Sequence, residues 1–150
     1  CAALGYANDI EVSATEMPTS WEAFLSFDDK YLRGKGAKGM EALARKIPAP
    51  VEPQVEARVK ELTRAVFSAL DCKGVARVDF LLDEVSGELY VGEINTIPGS
   101  LAFYLWEATG LKFGALVDKM VEYALRASQD KRQSVFSYDS SILQRGTGKA

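Results

Sequence analysis

The chain has 150 residues, 47% of them hydrophobic and 10% aromatic, and a formal net charge of -3; that supplies one core and too little positive charge to point to nucleic acid as a partner. Its apolar runs are too short to cross a bilayer, and the opening CAALGYANDI lacks the basic start and long apolar stretch of a secretory signal, so no membrane is expected and the cytoplasm is the expected compartment. With no histidine and two cysteines, Cys1 and Cys72, the composition excludes Ser-His and Cys-His catalysis and CxxC-type metal clusters, leaving oxygen donors for any metal.

In chain order, residues 1–5 and 11–16 (CAALG and EVSATE) read as an antiparallel strand pair around the turn-forming Ala7, Asn8 and Asp9. The chain opens inside that strand on Cys1 rather than Met, which reads as a fragment of a longer protein. A third short strand is predicted at 23–27. Next comes YLRGKGAKGMEALARK, where Gly34, Gly36 and Gly39 alternate with Arg33, Lys35 and Lys38, and this reads as a mobile basic loop. After Pro48 and Pro50, the spacing of Val55, Val59, Leu62, Val66 and Ala69 predicts a helix over 53–71, with Pro53 in its first turn and Gly74 at its end. A hairpin over 76–95 follows. A second stripe, Phe113, Leu116, Val117, Met120, Val121, Ala124 and Leu125, predicts a helix over 113–127. From Ser128 onward the chain is mostly polar and reads as an extension, 128–150, although Val135, Phe136, Tyr138, Ile142 and Leu143 suggest a segment that docks. There is no internal repeat and no linker that would divide residues 1–127.

The chemistry concentrates in the hairpin VARVDFLLDEVSGELYVGEIN. Strand side chains alternate, so Arg77 and Asp79 share one face, as do Glu93 and Asn95, while Val78, Phe80 and Leu82 share the apolar face. If residues 85–87 form a three-residue loop with Gly87 left-handed, Asp79 lies opposite Glu93 and Arg77 opposite Asn95. Two carboxylates so close repel unless positive charge lies between them. Asp79, Glu93 and the Asn95 amide oxygen form a hard, all-oxygen set suited to Mg²⁺, which keeps further positions for water and phosphate, so the ion is expected to arrive with a nucleotide. The plainer alternative is a surface hairpin whose carboxylates pair with Arg77 and other cations.

RVDF followed by LYVGEINTIPG resembles the C-terminal part of the ATP-grasp fold found in D-alanine-D-alanine ligases and their relatives, over the span from CAALG to about residue 127. The resemblance implies an α+β architecture: a twisted, mainly antiparallel sheet with both helices packed on one face and the polar side of the hairpin on the other. It implies an ATP- and Mg²⁺-dependent ligase that joins two small amino-acid substrates through an acyl phosphate, as in the D-alanine dipeptide of peptidoglycan synthesis in the cell wall. By position, Asp79, Glu93 and Asn95 would be ligands of two Mg²⁺ ions with Glu93 bridging, Arg77 would lie against the transferred phosphate, and the Gly99 amide would stabilise an oxyanion. SFDDKYLRGKG resembles the stretch in which a Lys-Tyr pair opens the loop over ATP, which would place Lys30 on the γ-phosphate and Tyr31 in the lid contacts.

The resemblance also implies that the rest of the ATP site and the domain for the first amino acid precede this chain, so the fragment alone is expected to be inactive; a homodimer is left open. In SLAFYLWEATG, Tyr104 falls where the family carries a serine hydroxyl for the carboxylate of the second amino acid, and Leu105 matches its apolar neighbour. Tyr104 or, through a shifted turn, Ser100 is then the candidate for that role, while Phe103, Tyr104 and Trp106 could equally begin a helix packed on the absent domain. A ligase for other carboxylates and amines, or a non-catalytic module derived from the same fold, are the alternatives. Cys1 and Cys72 are expected to be small buried hydrophobes, and Trp21 and Trp106 core or interface residues.

Overall fold

Strand β1 (Ala2–Tyr6) turns at Ala7 and Asn8 into β2 (Asp9–Val12), pairing Tyr6 with Asp9 and Gly5 with Ile10. In the computed structural model, which describes residues 1–18 and 45–134, these strands form half of a four-stranded sheet of order β2-β1-β5-β6. β5 (Gly74–Leu82) and β6 (Leu89–Asn95) are the predicted hairpin, and every pairing in the sheet is antiparallel. A separate ribbon joins β3 (Met17–Pro18) to β4 (Arg45–Lys46). The helices are α1 (Pro53–Ala69), the short α2 (Phe103–Glu107) and α3 (Phe113–Gln133). The strand expected at 23–27, the loop residues 33–44, Trp21, Lys30 and Tyr31 lie outside the described residues.

Boundaries shift in ways that follow from packing. The first strand runs on to Tyr6, and residues 13–15, expected to be strand, are instead a buried extended segment in which Ser13 Oγ accepts from the Ala2 amide at 2.9 Å. Gly74 opens β5 rather than ending α1, which has already stopped at Ala69. α3 continues past the expected end to Gln133, because its last turns are tied to the β1–β2 hairpin. Lys119 pairs with Glu11, Arg126 lies 3.2 Å from Asp9, and the Tyr6 hydroxyl donates to Asp130 at 2.6 Å.

The expectation that both long helices cover one face is overturned. Ala2, Leu4 and Tyr6 pack with Leu116 and Tyr123 of α3 and with Leu105 and Trp106 of α2, whereas Ala3 and Ala76 pack with Phe67 of α1. Alternate residues of one strand therefore meet different helices, and α1 and α3 lie on opposite faces. The physical reason is that β1 and β5 are central strands without a solvent side: Ala2, Ala3, Leu4 and Val78 are all fully buried, as a near-continuous apolar run demands. On β5, Val75 faces α3 and Ala76 faces α1, so Arg77 and Asp79 stand on the α2–α3 side.

The helix stripes rotate accordingly. α1 buries Val59, Thr63 and Phe67, with Val55, Leu62 and Val66 at the margin and Ala69 exposed. Thr63 enters the core because its hydroxyl donates to the Val59 carbonyl at 2.8 Å. α3 buries Leu116 and Tyr123, flanked by Met120 and Ala127, while Phe113, Val121 and Leu125 of the predicted stripe are exposed. Cys1 is buried, as expected of a small hydrophobe, whereas Cys72 is only partly buried beside Ala3, Phe67 and Ala76, where burial pushes its thiol pKa up. Among the described residues no helix is long and apolar enough to cross a membrane.

The turn between β1 and β2 is closed by a backbone approach that only glycine permits. A Cβ on Gly5 would overlap the Asp9 carbonyl oxygen and come within 2.9 Å of the Ile10 Cα. Gly5→Ala in the full-length protein is therefore expected to cost about 1–3 kcal/mol, the range for overpacking a closed site. Chemical denaturation measures this, and an unchanged midpoint would show that the strands part without penalty.

Candidate functional site

The β5–β6 register brings the predicted polar residues together. Arg77 pairs with Asn95, Val78 with Ile94 and Asp79 with Glu93. The route to this register differs from the expected one. Beyond Asp79 the ladder slips by one, pairing Phe80 with Val91, Leu81 with Tyr90 and Leu82 with Leu89, so Gly92 is an extra residue in β6. Asp83 donates its amide to Glu88 and accepts from Gly87, which leaves residues 84–87 as a four-residue loop rather than three. One added loop residue and one bulge cancel, and the polar face is restored at Asp79. Gly87 is left-handed, φ 75°, as the loop requires.

Within the cluster, Arg77 is a two-point clamp: Nε donates to Oδ1 of Asp79 at 2.7 Å and Nη2 to Oδ2 at 2.8 Å. Asn95 Nδ2 donates to Glu93 Oε1 at 2.8 Å and reaches Asp79 Oδ2 at 3.4 Å. Hydrogen bonding to Asp79 holds the Arg77 guanidinium charged, its pKa raised further despite partial burial. The feared repulsion between the carboxylates is thus offset by Arg77 on one side and the Asn95 amide on the other.

The donor chemistry fits a divalent cation. Asp79 and Glu93 supply hard carboxylate oxygens, and a half-turn of the Asn95 carboxamide presents its oxygen where Nδ2 now stands. Among the described residues no three His, Cys, Asp or Glu side chains gather into a metal-sized group. A cation here would rely on two carboxylates and an amide, with substrate oxygens and water completing its shell.

Downstream of Asn95 the chain makes a left-handed turn, Gly99–Ala102. Ser100, Leu101 and Ala102 have φ of 50°, 55° and 51°, a run that costs roughly 1–2 kcal/mol per residue for L-amino acids. It is sustained by the fully buried Ala102, by Leu101 packing on the core, and by the Leu101 amide bonding Pro98 O at 2.9 Å. Gly99 is exposed, with open space where a Cβ would be. Strain held at an exposed turn beside a polar cluster is a mark of a functional segment. Ser100, Leu101, Phe103 and Phe113 line an open concavity of about 510 Å³ there.

The three residues expected to meet a second substrate are divided by the structure. Ser100 lies on the exposed turn. Leu105 is 0% exposed inside the core, where its side chain anchors α2. Trp106 is a core residue, 2% exposed. Tyr104 is half-buried and donates its hydroxyl to Glu16 at 2.9 Å, beneath the Arg45 guanidinium 4.3 Å from its ring centre. Burial first, then the Glu16 charge, pushes its phenol pKa up. Sequence reasoning missed Glu16 and Arg45. They flank residues 19–44, and no local pattern marks two such distant positions as neighbours.

A family model described as D-ala D-ala ligase C-terminus matches residues 1–122. The D-alanine--D-alanine ligase of Thermosipho africanus is 36% identical over 143 residues, covering 95% of this chain and 37% of the relative. That of Thermosipho melanesiensis is 36% identical over 149 residues, covering 99% of this chain and 38% of the relative. The chain therefore spans little more than a third of the length of these relatives. Among solved structures, the D-alanine-D-alanine ligase from Coxiella burnetii superposes with a TM-score of 0.68 at 23% identity, covering 89% of this chain and 33% of that one, a likeness of fold. VanG D-Ala:D-Ser ligase from Enterococcus faecalis gives 0.58 at 26% identity, covering 82% and 34%. With an antiparallel sheet, an Arg-Asp clamp opposite Glu93 and Asn95, and a match over residues 1–122, the chain belongs to the D-ala D-ala ligase C-terminus family and carries the C-terminal portion of an ATP-grasp domain.

Proposed function

We propose that the protein containing this chain is an ATP- and Mg²⁺-dependent carboxylate–amine ligase that forms the D-alanyl-D-alanine bond for peptidoglycan in the cytoplasm. The observation that carries this reading is the convergence of Arg77, Asp79, Glu93 and Asn95 on one face of the hairpin. Asp79, Glu93 and Asn95 would hold the metal ions. When bound, these ions neutralise phosphoryl oxygens and orient the transferring group.

The chain's own residues supply the rest. Arg77, now committed to Asp79 through two donors, exchanges part of that pairing for the transferred phosphate, keeping its charge throughout. The Gly99 amide, at the head of the strained turn, donates to the oxyanion that develops when the second amine attacks the acyl phosphate. Ser100, next along the turn, provides a hydroxyl for the incoming carboxylate. Lys30 and Tyr31 are assigned to the γ-phosphate and the lid contacts on the KY pair alone. Because the chain spans about 37% of a relative, by itself it is expected not to turn over ATP.

On the acceptor side the Tyr104 hydroxyl is already spent on Glu16. The test is an assay of the full-length protein with ATP and D-alanine, reading ADP release and dipeptide mass, with D-serine, D-lactate and L-amino acids as competing acceptors. Dipeptide from D-alanine supports the proposal. ADP release that depends on another acceptor assigns a sister ligase, and no acceptor-dependent ADP release with any pair removes the enzymatic reading.

A further inference from the structure

Beside the Arg77 cluster a second polar group closes from three separate stretches of chain. Tyr104 on α2 donates to Oε2 of Glu16 at 2.9 Å. The other oxygen of Glu16, Oε1, lies 3.5 Å from Nη1 of Arg45, and Arg45 stacks over the Tyr104 ring at 4.3 Å. Each member touches the other two. Glu16 and Arg45 are well covered, with side-chain exposures of 15% and 17%, so the pairing is less screened than a surface ion pair.

The group is held on every side. Thr15, the neighbour of Glu16, accepts the Ala49 amide through its carbonyl at 3.1 Å, which ties the Glu16 segment to the chain leaving β4. Leu105 and Trp106, the residues after Tyr104, are locked in the core. With the backbone fixed at both ends, the Tyr104 ring has only its own torsions to lose, and the carboxylate and the guanidinium remove them. The group also adjoins the candidate site: the negative charge of Glu16 acts on the Arg77 guanidinium.

We infer that Glu16 is a positioning residue for acceptor selection: through the phenol hydroxyl and through Arg45 it immobilises the Tyr104 ring as a wall of the acceptor site beside the Gly99–Ala102 turn. This rests on the ligase reading above. A phenol has one O–H to donate, and Glu16 takes it, so the acceptor is chosen by the space the fixed ring leaves and not by a hydrogen bond from Tyr104. A rigid aromatic wall discriminates by size and branching, where a mobile one would yield.

The experiment uses the full-length enzyme with ATP and D-alanine, in wild type, Glu16→Gln, Glu16→Ala, Tyr104→Phe and the Glu16→Ala/Tyr104→Phe double variant. Acceptor KM is measured apart from ATP KM and kcat, and selectivity is read by competing D-alanine against D-serine and D-valine. Glu16→Ala and Tyr104→Phe are each expected to raise acceptor KM about tenfold, the lower end for losing a hydrogen bond to a charged group, and to narrow the D-alanine to D-valine preference. ATP KM and kcat stay within about twofold, and the double variant is no worse than either single one. Glu16→Gln, whose amide oxygen still accepts from the phenol, recovers most of the loss. Unchanged acceptor KM and selectivity in an enzyme that ligates would overturn this inference and leave the ligase reading standing, as would equal rises in ATP and acceptor KM. A wild-type enzyme that ligates nothing overturns both.

Discussion

Glu93→Gln and Asp79→Asn are expected to lower turnover of the full-length enzyme by about a hundredfold or more, since each removes a carboxylate assigned to metal ions that carry several kcal/mol of charge stabilisation. Melting temperatures should stay within about 4 °C. In Glu93→Gln the new carboxamide oxygen can still accept from Asn95 Nδ2, which now bonds Glu93 at 2.8 Å, and Glu93 is exposed. Asp79→Asn breaks the clamp with Arg77, but that pair is about a third exposed, 29% and 34%, and exposed pairs are worth about 0–1 kcal/mol. Calorimetric titration with Mg²⁺ and a non-hydrolysable ATP analogue, beside thermal melts, separates the two effects. Variants that lose folding while retaining turnover would make the cluster a structural feature of the hairpin.

Trp106→Ala is expected to be the most damaging core substitution, at about 3–5 kcal/mol. Trp106 is 2% exposed and packs among Leu4, Leu105 and Leu116, where α2 and α3 meet the sheet, so the vacated volume is walled by rigid elements that cannot collapse into it. Trp106→Phe should cost clearly less, below about 2 kcal/mol, because the indole N–H has no hydrogen-bond partner among the described residues and its loss leaves no acceptor stranded. Denaturant midpoints of the two variants decide the matter. Equal losses would mean that the indole nitrogen is bonded to a group beyond these residues, and that Trp106 serves as a polar anchor as well as a packing residue.

The register of the site was legible for a reason that holds more widely. A strand pair with a polar face and an apolar face has only one parity that keeps both intact, so Arg77, Asp79, Glu93 and Asn95 had to share a side whatever the turn did. The loop length itself was misread, and the bulge at Gly92 compensated for it. A one-residue error in either alone would have turned Glu93 and Asn95 away from Asp79.

The sequence by itself determined the two long helices, the hairpin and the constellation of Arg77, Asp79, Glu93 and Asn95, because each rests on local periodicity or on the alternation within one hairpin, while the α+β class followed from the family resemblance. The tertiary structure alone decided which faces the helices cover and which polar residues gather around Tyr104. CAALG is apolar at every position, and a run without alternation does not say that Ala3 turns to α1 while Ala2 and Leu4 turn to α3. Only the sheet order, with β1 and β5 in the middle, requires cover on both sides. Likewise Glu16 and Arg45 meet Tyr104 because the β3–β4 ribbon closes the chain on itself before α2 is reached. Contacts between such distant positions depend on how the elements stack, and no spacing along the chain encodes them.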